Sequence, residues 1–514
     1  VSPISGTGDG VVTVTLAGNN ALTSRSGSIV IGGVTHTVSQ DAALRPELSM
    51  PALIPEGIVG GLYQLQIPTS QFPAIYVVTK MPPGLSINSN TGLLSGIPTK
   101  AGTYPVIIKA GNKAGNSTTT LTFDIVIKPV HAGIVGSHIG WVDRHPGFNR
   151  DLGSRLEMMI TSTGAVTGKL FTGTVPIPLK GQLQTDVAVF QTATLQMPVP
   201  RSGGLPPLVL DLSFDGLGQT VSGTLEEPMV DSVPVEAWRN PWSTLNKAGP
   251  YFRKLHTFGL ENQDPDAALP QGDGFGSWST VGETTGMLTV AGSLPDGSKF
   301  TSGGFLGSQG QVLIYQSLYS NKGTLLGSLR HATPDIPPAD NGISGTLSWN
   351  KPVADPAKDK VYPGGFEAID LQVNGGAYVP PAPGDVVMGL PDNTSDNARL
   401  FFTAGGLDTE TAEFDLSLKL YNPGTALVNK ADVPPHPNLV KMPVLDAVKG
   451  LYSGEFTLPG ATPALSRKVL FQGQIVTPPI GVSRGYGYFL RPETSAASSQ
   501  RLSGRARLEE NAGP

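Results

Sequence analysis

The sequence predicts an all-β protein: tandem β-sandwich modules followed by a large antiparallel β-rich region of sandwiches or a barrel. Three observations carry that expectation. The 514 residues include 65 glycines and 46 prolines, more than a fifth of the chain, where average usage is about 12%. Gly costs about 1 kcal/mol and Pro about 3 kcal/mol inside a helix, so long helices are excluded. Short runs of alternating apolar and polar residues recur between these breakers, and alternation is the period of a half-buried strand. Apolar residues still make up 39% of the chain, enough to bury cores, and the net charge of −5 is too small to favour disorder.

Residues 1–44 form the first segment. Val12, Val14 and Leu16 alternate with Thr13, Thr15 and Ala17, which predicts a strand. Ile29 and Ile31 predict a second, and Val34 to Val38, after the Gly32-Gly33 turn, a third. Three short strands cannot bury a core alone. The stretches SPISGTGDGVVTVTLAGNN and SRSGSIVIGGVTHTVSQ resemble the second half of a BACON domain, a small β-sandwich of exported bacterial proteins. The resemblance covers roughly 40 residues and lacks the module's first half. It implies either a longer natural chain or strands supplied by another subunit, as in strand complementation. Val11, Val12, Val14 and Leu16 are then the expected subunit-contact strand. BACON modules are associated with carbohydrate binding, but residues 1–44 contain no Phe, Trp or Tyr to stack on a sugar.

Residues 45–130 form the second segment, opened by Pro46 and Pro51. Its turns are Pro82-Pro83-Gly84-Leu85, Asn90-Thr91-Gly92, Ser95-Gly96-Ile97-Pro98 and Ala101-Gly102-Thr103-Tyr104. Pro sets the turn φ and Gly supplies positive φ. Tyr104, Val106 and Ile108 predict one inward face, and Leu121, Phe123, Ile125 and Ile127 another. The stretch Met81–Ile127 resembles a bacterial immunoglobulin-like module related to cadherin repeats. That resemblance implies a stiff spacer on a secreted or cell-surface protein.

The remainder is expected as two β-rich domains, 131–380 and 381–514. A Ser/Thr-Gly-x-apolar motif recurs with its glycine at 168, 223, 286, 345, 454 and 504. The intervals are 55, 63, 59, 109 and 50 residues, with Gly405 near the middle of the long one, which suggests an irregular repeat of several strands. Segments such as RDLGSRLEMMITSTGAVTGKL, GQVLIYQSLYSNKGTLLGSL and FQGQIVTPPIGVSRGYGYFL resemble C-terminal regions of large surface proteins of Verrucomicrobia-like bacteria. This implies export and β structure but no activity.

Chemistry-bearing motifs are scarce. The chain has no Cys, which excludes disulfides, thiol nucleophiles and Cys-based metal sites; whether Lys–Asn crosslinks stand in for disulfides is open at this level. Phosphate-binding loops, nucleophile elbows and zinc-protease motifs are absent. The chain reads as no enzyme, with no cofactor and no metal. His131, His138 and His145 are spaced by seven, which puts alternate members on opposite strand faces. Asn262, Asp264, Asp266 and Asp273 make an oxygen-rich loop that lacks the ordered ligand spacing of a calcium site. Trp238, Trp242 and Trp278 are the candidate glycan-stacking residues, with Trp238 and Trp242 in one Pro-containing loop. No basic stripe favours nucleic acid, and no apolar run reaches the roughly 18–20 residues of a membrane helix. The residues at the start are no signal peptide, so the export signal of an extracellular or cell-surface protein is expected to lie outside this chain. Two functions are expected from these features. One is a structural surface protein, a homopolymer joined into a filament by strand complementation. The other is an adhesin that captures an extracellular glycan with its C-terminal region.

Overall fold

The computed structural model describes all residues except 1, 3, 71–73, 333–341, 392–395, 410–412, 425–427, 479–480, 497–498 and 512–514. The chain is 52% strand and 4% helix, as its Gly and Pro content dictates. It forms two compact units, Val1–Ala132 with Ser162–Gly164 and Gln182–Ala193, and the rest from Gly133 onward.

In the first unit, residues 52–128 build a two-layer sandwich. One layer orders Gly57–Ile58, Leu121–Lys128, Gly102–Asn112 and Ile75–Thr79, with Gly115–Asn116 off its path. The other orders Tyr63–Gln66, Leu93–Gly96 and Leu85–Ile87. Leu121, Phe123, Ile125 and Ile127 point inward, as their alternation requires. They meet Val106 and Ile108 from the neighbouring strand and Ile58, Ile67, Tyr76 and Leu94, all buried. The Asn90-Thr91-Gly92 turn closes against this core. Gly92 has φ +72, and a Cβ there would lie 2.5 Å from the Tyr76 ring, so the turn needs glycine on two counts.

Residues 1–44 contain less regular structure than their alternation predicts. Arg25–Ile31 and Val34–Gln40 form an antiparallel hairpin. Its turn, Gly32-Gly33, has φ +62 and +84, the two positive values of a type I′ turn. The strand expected at Val11, Val12, Val14 and Leu16 does not form. That segment is irregular, with a single bridge between Ser2 and Thr13, and Val11 is 87% exposed. Alternation alone does not make a strand; a neighbour must accept its ladder of hydrogen bonds.

From Gly136 onward the chain forms three consecutive antiparallel meanders, of nine, eight and eight strands among the described residues. In each, successive strands are neighbours and the last strand pairs with the first. The first meander is closed by Gly136–Val142 with Asp231–Arg239, the second by His256–Asn262 with Phe366–Ala377, the third by Ala398–Ala404 with Arg501–Glu510. Each ladder is interrupted once in the middle of the meander. In the second, the gap falls between Lys299–Phe305 and Gln311–Leu318. There the buried Ser302 hydroxyl donates to the Leu313 carbonyl at 3.1 Å and accepts from the Tyr315 amide at 3.0 Å. A side chain thus fills the missing rungs. All eight strands of the second meander contribute to one interior, from Phe258 and Leu260 through Val290, Phe300, Ile314, Leu325 and Trp349 to Leu371. The third has a second such interior centred on Phe402, Phe456, Phe471 and Phe489. Each of these sheets curls round on itself like a barrel and is left open at one seam, called a barrel below.

The first two of these sheets fall within 131–380 and the third within 381–514. In the first two barrels the recurring motif falls on or beside the third strand (Gly168, Gly286) and on the last strand but one (Gly223, Gly345). Its spacing there is half a barrel. In the third barrel Gly454 and Gly504 fall on the fifth and eighth strands, and the regularity is lost.

Candidate assembly surface

The hairpin Arg25–Gln40 is the least satisfied element of the first unit. It is a two-stranded sheet with no further strand, so the outer backbone edge of each strand is open to a partner among the described residues. The register pairs Ile29 with His36, Ile31 with Val34 and Gly27 with Val38. Ile29, Ile31, Val34 and Val38 therefore share one face. None of the four is buried, and Val34 is 59% exposed. Val30, on the other face, is 67% exposed. The open end of the hairpin is tied down by Arg25, which donates to Gln40 Oε1 and to the Ala17 carbonyl, each at 2.7 Å. The hairpin is thus fixed at its base and bare along its length. A two-stranded ribbon is marginal in water without more strands or a covering layer.

A second open edge belongs to the sandwich. Ile75–Thr79 ends its layer, and Ile75 and Val77 are 51% and 57% exposed.

The candidate glycan platform is not assembled. Trp238 and Trp278 are each 2% exposed. Trp238 packs with Ile139, Phe305, Leu313, Tyr315 and Leu326 where the first barrel meets the second, and its indole donates to the Phe305 carbonyl at 3.4 Å. Trp278 stacks on His256 at 5.0 Å in the second barrel. Trp242 is half-buried and donates to the Leu306 carbonyl at 2.7 Å. Each indole buries a large apolar area, and here packing within the molecule claims it.

The histidines at spacing seven go to separate environments. His131 packs edge-on to Phe190 at 5.4 Å. His138 points into the first barrel against Phe214 at 5.7 Å. Burial, reinforced by the Arg239 charge, pushes its imidazole down to about 4 despite a hydrogen bond to Gly136. His145 accepts from the Gly147 amide and contacts Asp231 at 3.0 Å.

The oxygen-rich loop satisfies itself. Asn262, Asp264 and Asp266 each accept from an amide two residues on, at 2.9–3.0 Å. The Gln271 amide donates to the Asp264 and Asp266 carbonyls. Asp273 leaves the loop altogether. Its fully buried side chain meets Arg507 at 2.5 Å and Arg505 at 3.3 Å, and Arg507 also pairs with Glu261. This network joins the second barrel to the third. Burial opposes the Arg507 charge, but the Asp273 and Glu261 carboxylates outweigh that and raise its pKa. The signal for this joint was present in the sequence as Arg505 and Arg507, two apart and therefore on one strand face.

Among known proteins, the family described as "Putative Ig domain" matches residues 52–128. A structure titled "putative alpha-galactosidase" from Bacteroides fragilis is 33% identical over 16% of this chain and 17% of that one, with a TM-score of 0.14. A second from the same organism, titled "putative alpha-galactosidase/melibiase", is 28% identical over the same shares, with a TM-score of 0.14. The chain thus spans about a sixth of the length of these two structures. The transferrin binding protein B of Neisseria meningitidis aligns over 85% of both chains at 11% identity, with a TM-score of 0.19. No curated protein matches the chain. Residues 52–128 are accordingly an immunoglobulin-like module.

Proposed function

We propose that this chain is a structural protein of the bacterial cell surface or extracellular matrix, a non-catalytic subunit that self-associates through its N-terminal hairpin. The observation that supports this reading is the hairpin itself: open on both backbone edges, with four apolar side chains on one face and none of them buried. A strand from a second copy, added to either edge, would supply the missing ladder bonds and cover that face. Head-to-tail addition of this kind is heterologous and yields an open filament. The modest net charge opposes such assembly little.

Sedimentation of the whole chain over a range of concentrations tests the reading. The expected result is a ladder of species above the 53.5 kDa monomer, with the ladder lost when residues 1–44 are deleted. A monomer at every concentration overturns it. The glycan reading has less support, because two of its three tryptophans are buried.

A further inference from the structure

At one end of the second barrel a lysine amine is enclosed between two carboxylates. Lys351 ends the strand Gly342–Lys351, at an irregularity in its pairing with Phe366–Ala377. Asp296 sits in the turn between Met287–Ser293 and Lys299–Phe305. The Lys351 side chain is 2% exposed and that of Asp296 is fully buried. Lys351 Nζ lies 3.0 Å from Asp296 Oδ2 and 2.8 Å from Asp359 Oδ2. The Tyr319 ring lies beneath the amine, 4.8 Å from Nζ to its centroid. The Tyr319 hydroxyl donates to Asp296 Oδ2 at 2.7 Å and is held by the Trp349 indole at 3.1 Å. Asp296 Oδ1 accepts from the Ser298 amide at 2.9 Å. Both partners of the bond are thus fixed in place, in contact and shielded from water.

We propose that Lys351 and Asp296 condense to an intramolecular amide. Asp359 takes a proton from the Lys351 ammonium. The freed Nζ lone pair attacks Cγ of Asp296, polarised by the Tyr319 hydroxyl. Nζ–Cγ forms, one Cγ–O bond breaks, and that oxygen leaves as water with two of the amine protons. Ammonium and carboxylate become amide and water, so no oxidant, nucleotide or metal is required. Two factors favour the product at this site. A buried ion pair carries a desolvation penalty that a neutral amide does not, and the expelled water moves to bulk solvent. The link ties the turn between the third and fourth strands to the end of the seventh. It closes a loop that contains the barrel's interrupted ladder, where covalent closure has most to hold. In a chain without Cys it would do the work of a disulfide, and it does not depend on self-association.

Intact mass of the unfolded, purified chain is the test, with peptide mapping by trypsin. The expected wild-type mass is lighter than the sequence by one water, with a branched tryptic peptide joining the fragment that carries Lys351 to the fragment that carries Asp296. Asp296→Asn is expected to reach the same final mass by loss of ammonia instead of water. Lys351→Arg, which keeps a cation but cannot condense, is expected at its full sequence mass. A wild-type chain at full mass, with the Lys351 and Asp296 fragments recovered as separate unbranched peptides, overturns the proposal, as does a water loss that persists in Lys351→Arg.

Discussion

Three imidazoles, at His138, His256 and His331, are enclosed in barrels where a charge has little solvation. Burial pushes His256 down to about 4 and His331 to about 3, the latter with help from the neighbouring His256. All three are neutral in the folded state at pH 7, whereas the unfolded chain takes up protons below about 6.5. Stability from these groups is therefore complete above pH 6.5 and is lost as pH falls toward 4, by about 2–3 kcal/mol for each imidazole. Thermal melts are expected to show a constant Tm from pH 8 to about 6.5 and a steep fall by about pH 4.5. His138→Gln should flatten part of that fall, and an unchanged Tm at low pH would contradict the assignment. The Asp273 carboxylate makes a different prediction. Replacing it with Asn leaves Arg505 and Arg507 facing an uncharged group, and breaking a buried pair from one side costs about 3 kcal/mol or more. Urea denaturation of Asp273→Asn measures that loss; Glu261→Gln, at the more exposed edge of the network, should cost less.

Among the elements, the tight turns of the sandwich are the most restrictive. Gly92→Ala forces a Cβ into the Tyr76 ring at a positive φ. The left-handed conformation alone costs about 1–2 kcal/mol for an L-residue, and the clash adds to it. Early unfolding of the immunoglobulin-like module is expected, read as faster proteolysis within residues 52–128 while the barrels persist. The alternation of the Leu121–Lys128 strand was fully legible in the sequence, because a sandwich strand packed on one side repeats every two residues. The run from Val11 to Leu16 has the same alternation and is not a strand, since it lacks a pairing neighbour. Alternation reports which face would be apolar; it does not supply the strand alongside.

At the scale of the whole molecule, the barrels pack through glycines on their outer walls. A Cβ on Gly259 in the second barrel would stand 2.3 Å from the Tyr486 ring of the third, and one on Gly272 would stand 2.4 Å from Ser503 Oγ. Gly272→Leu is therefore expected to part the second and third barrels while leaving each folded. Small-angle scattering should report a larger radius with unchanged circular dichroism; unaltered dimensions would show that the joint accommodates the side chain. Such contact glycines carry no mark in the sequence, because a strand glycine and a turn glycine are the same letter until the neighbouring barrel is in place.

Composition and periodicity settled that this chain is β throughout, that it has no thiol chemistry, and that residues 45–130 hold a sandwich with its core on Val106, Ile108, Phe123, Ile125 and Ile127. Those properties follow from propensities and patterns that act over a few residues. The curling of the C-terminal region into three barrel-like sheets, the burial of Trp238 and Trp278, and the meeting of Lys351 with Asp296 were decided only by tertiary structure. Each depends on contacts between residues far apart in the chain, and local pattern carries no record of which distant strands become neighbours.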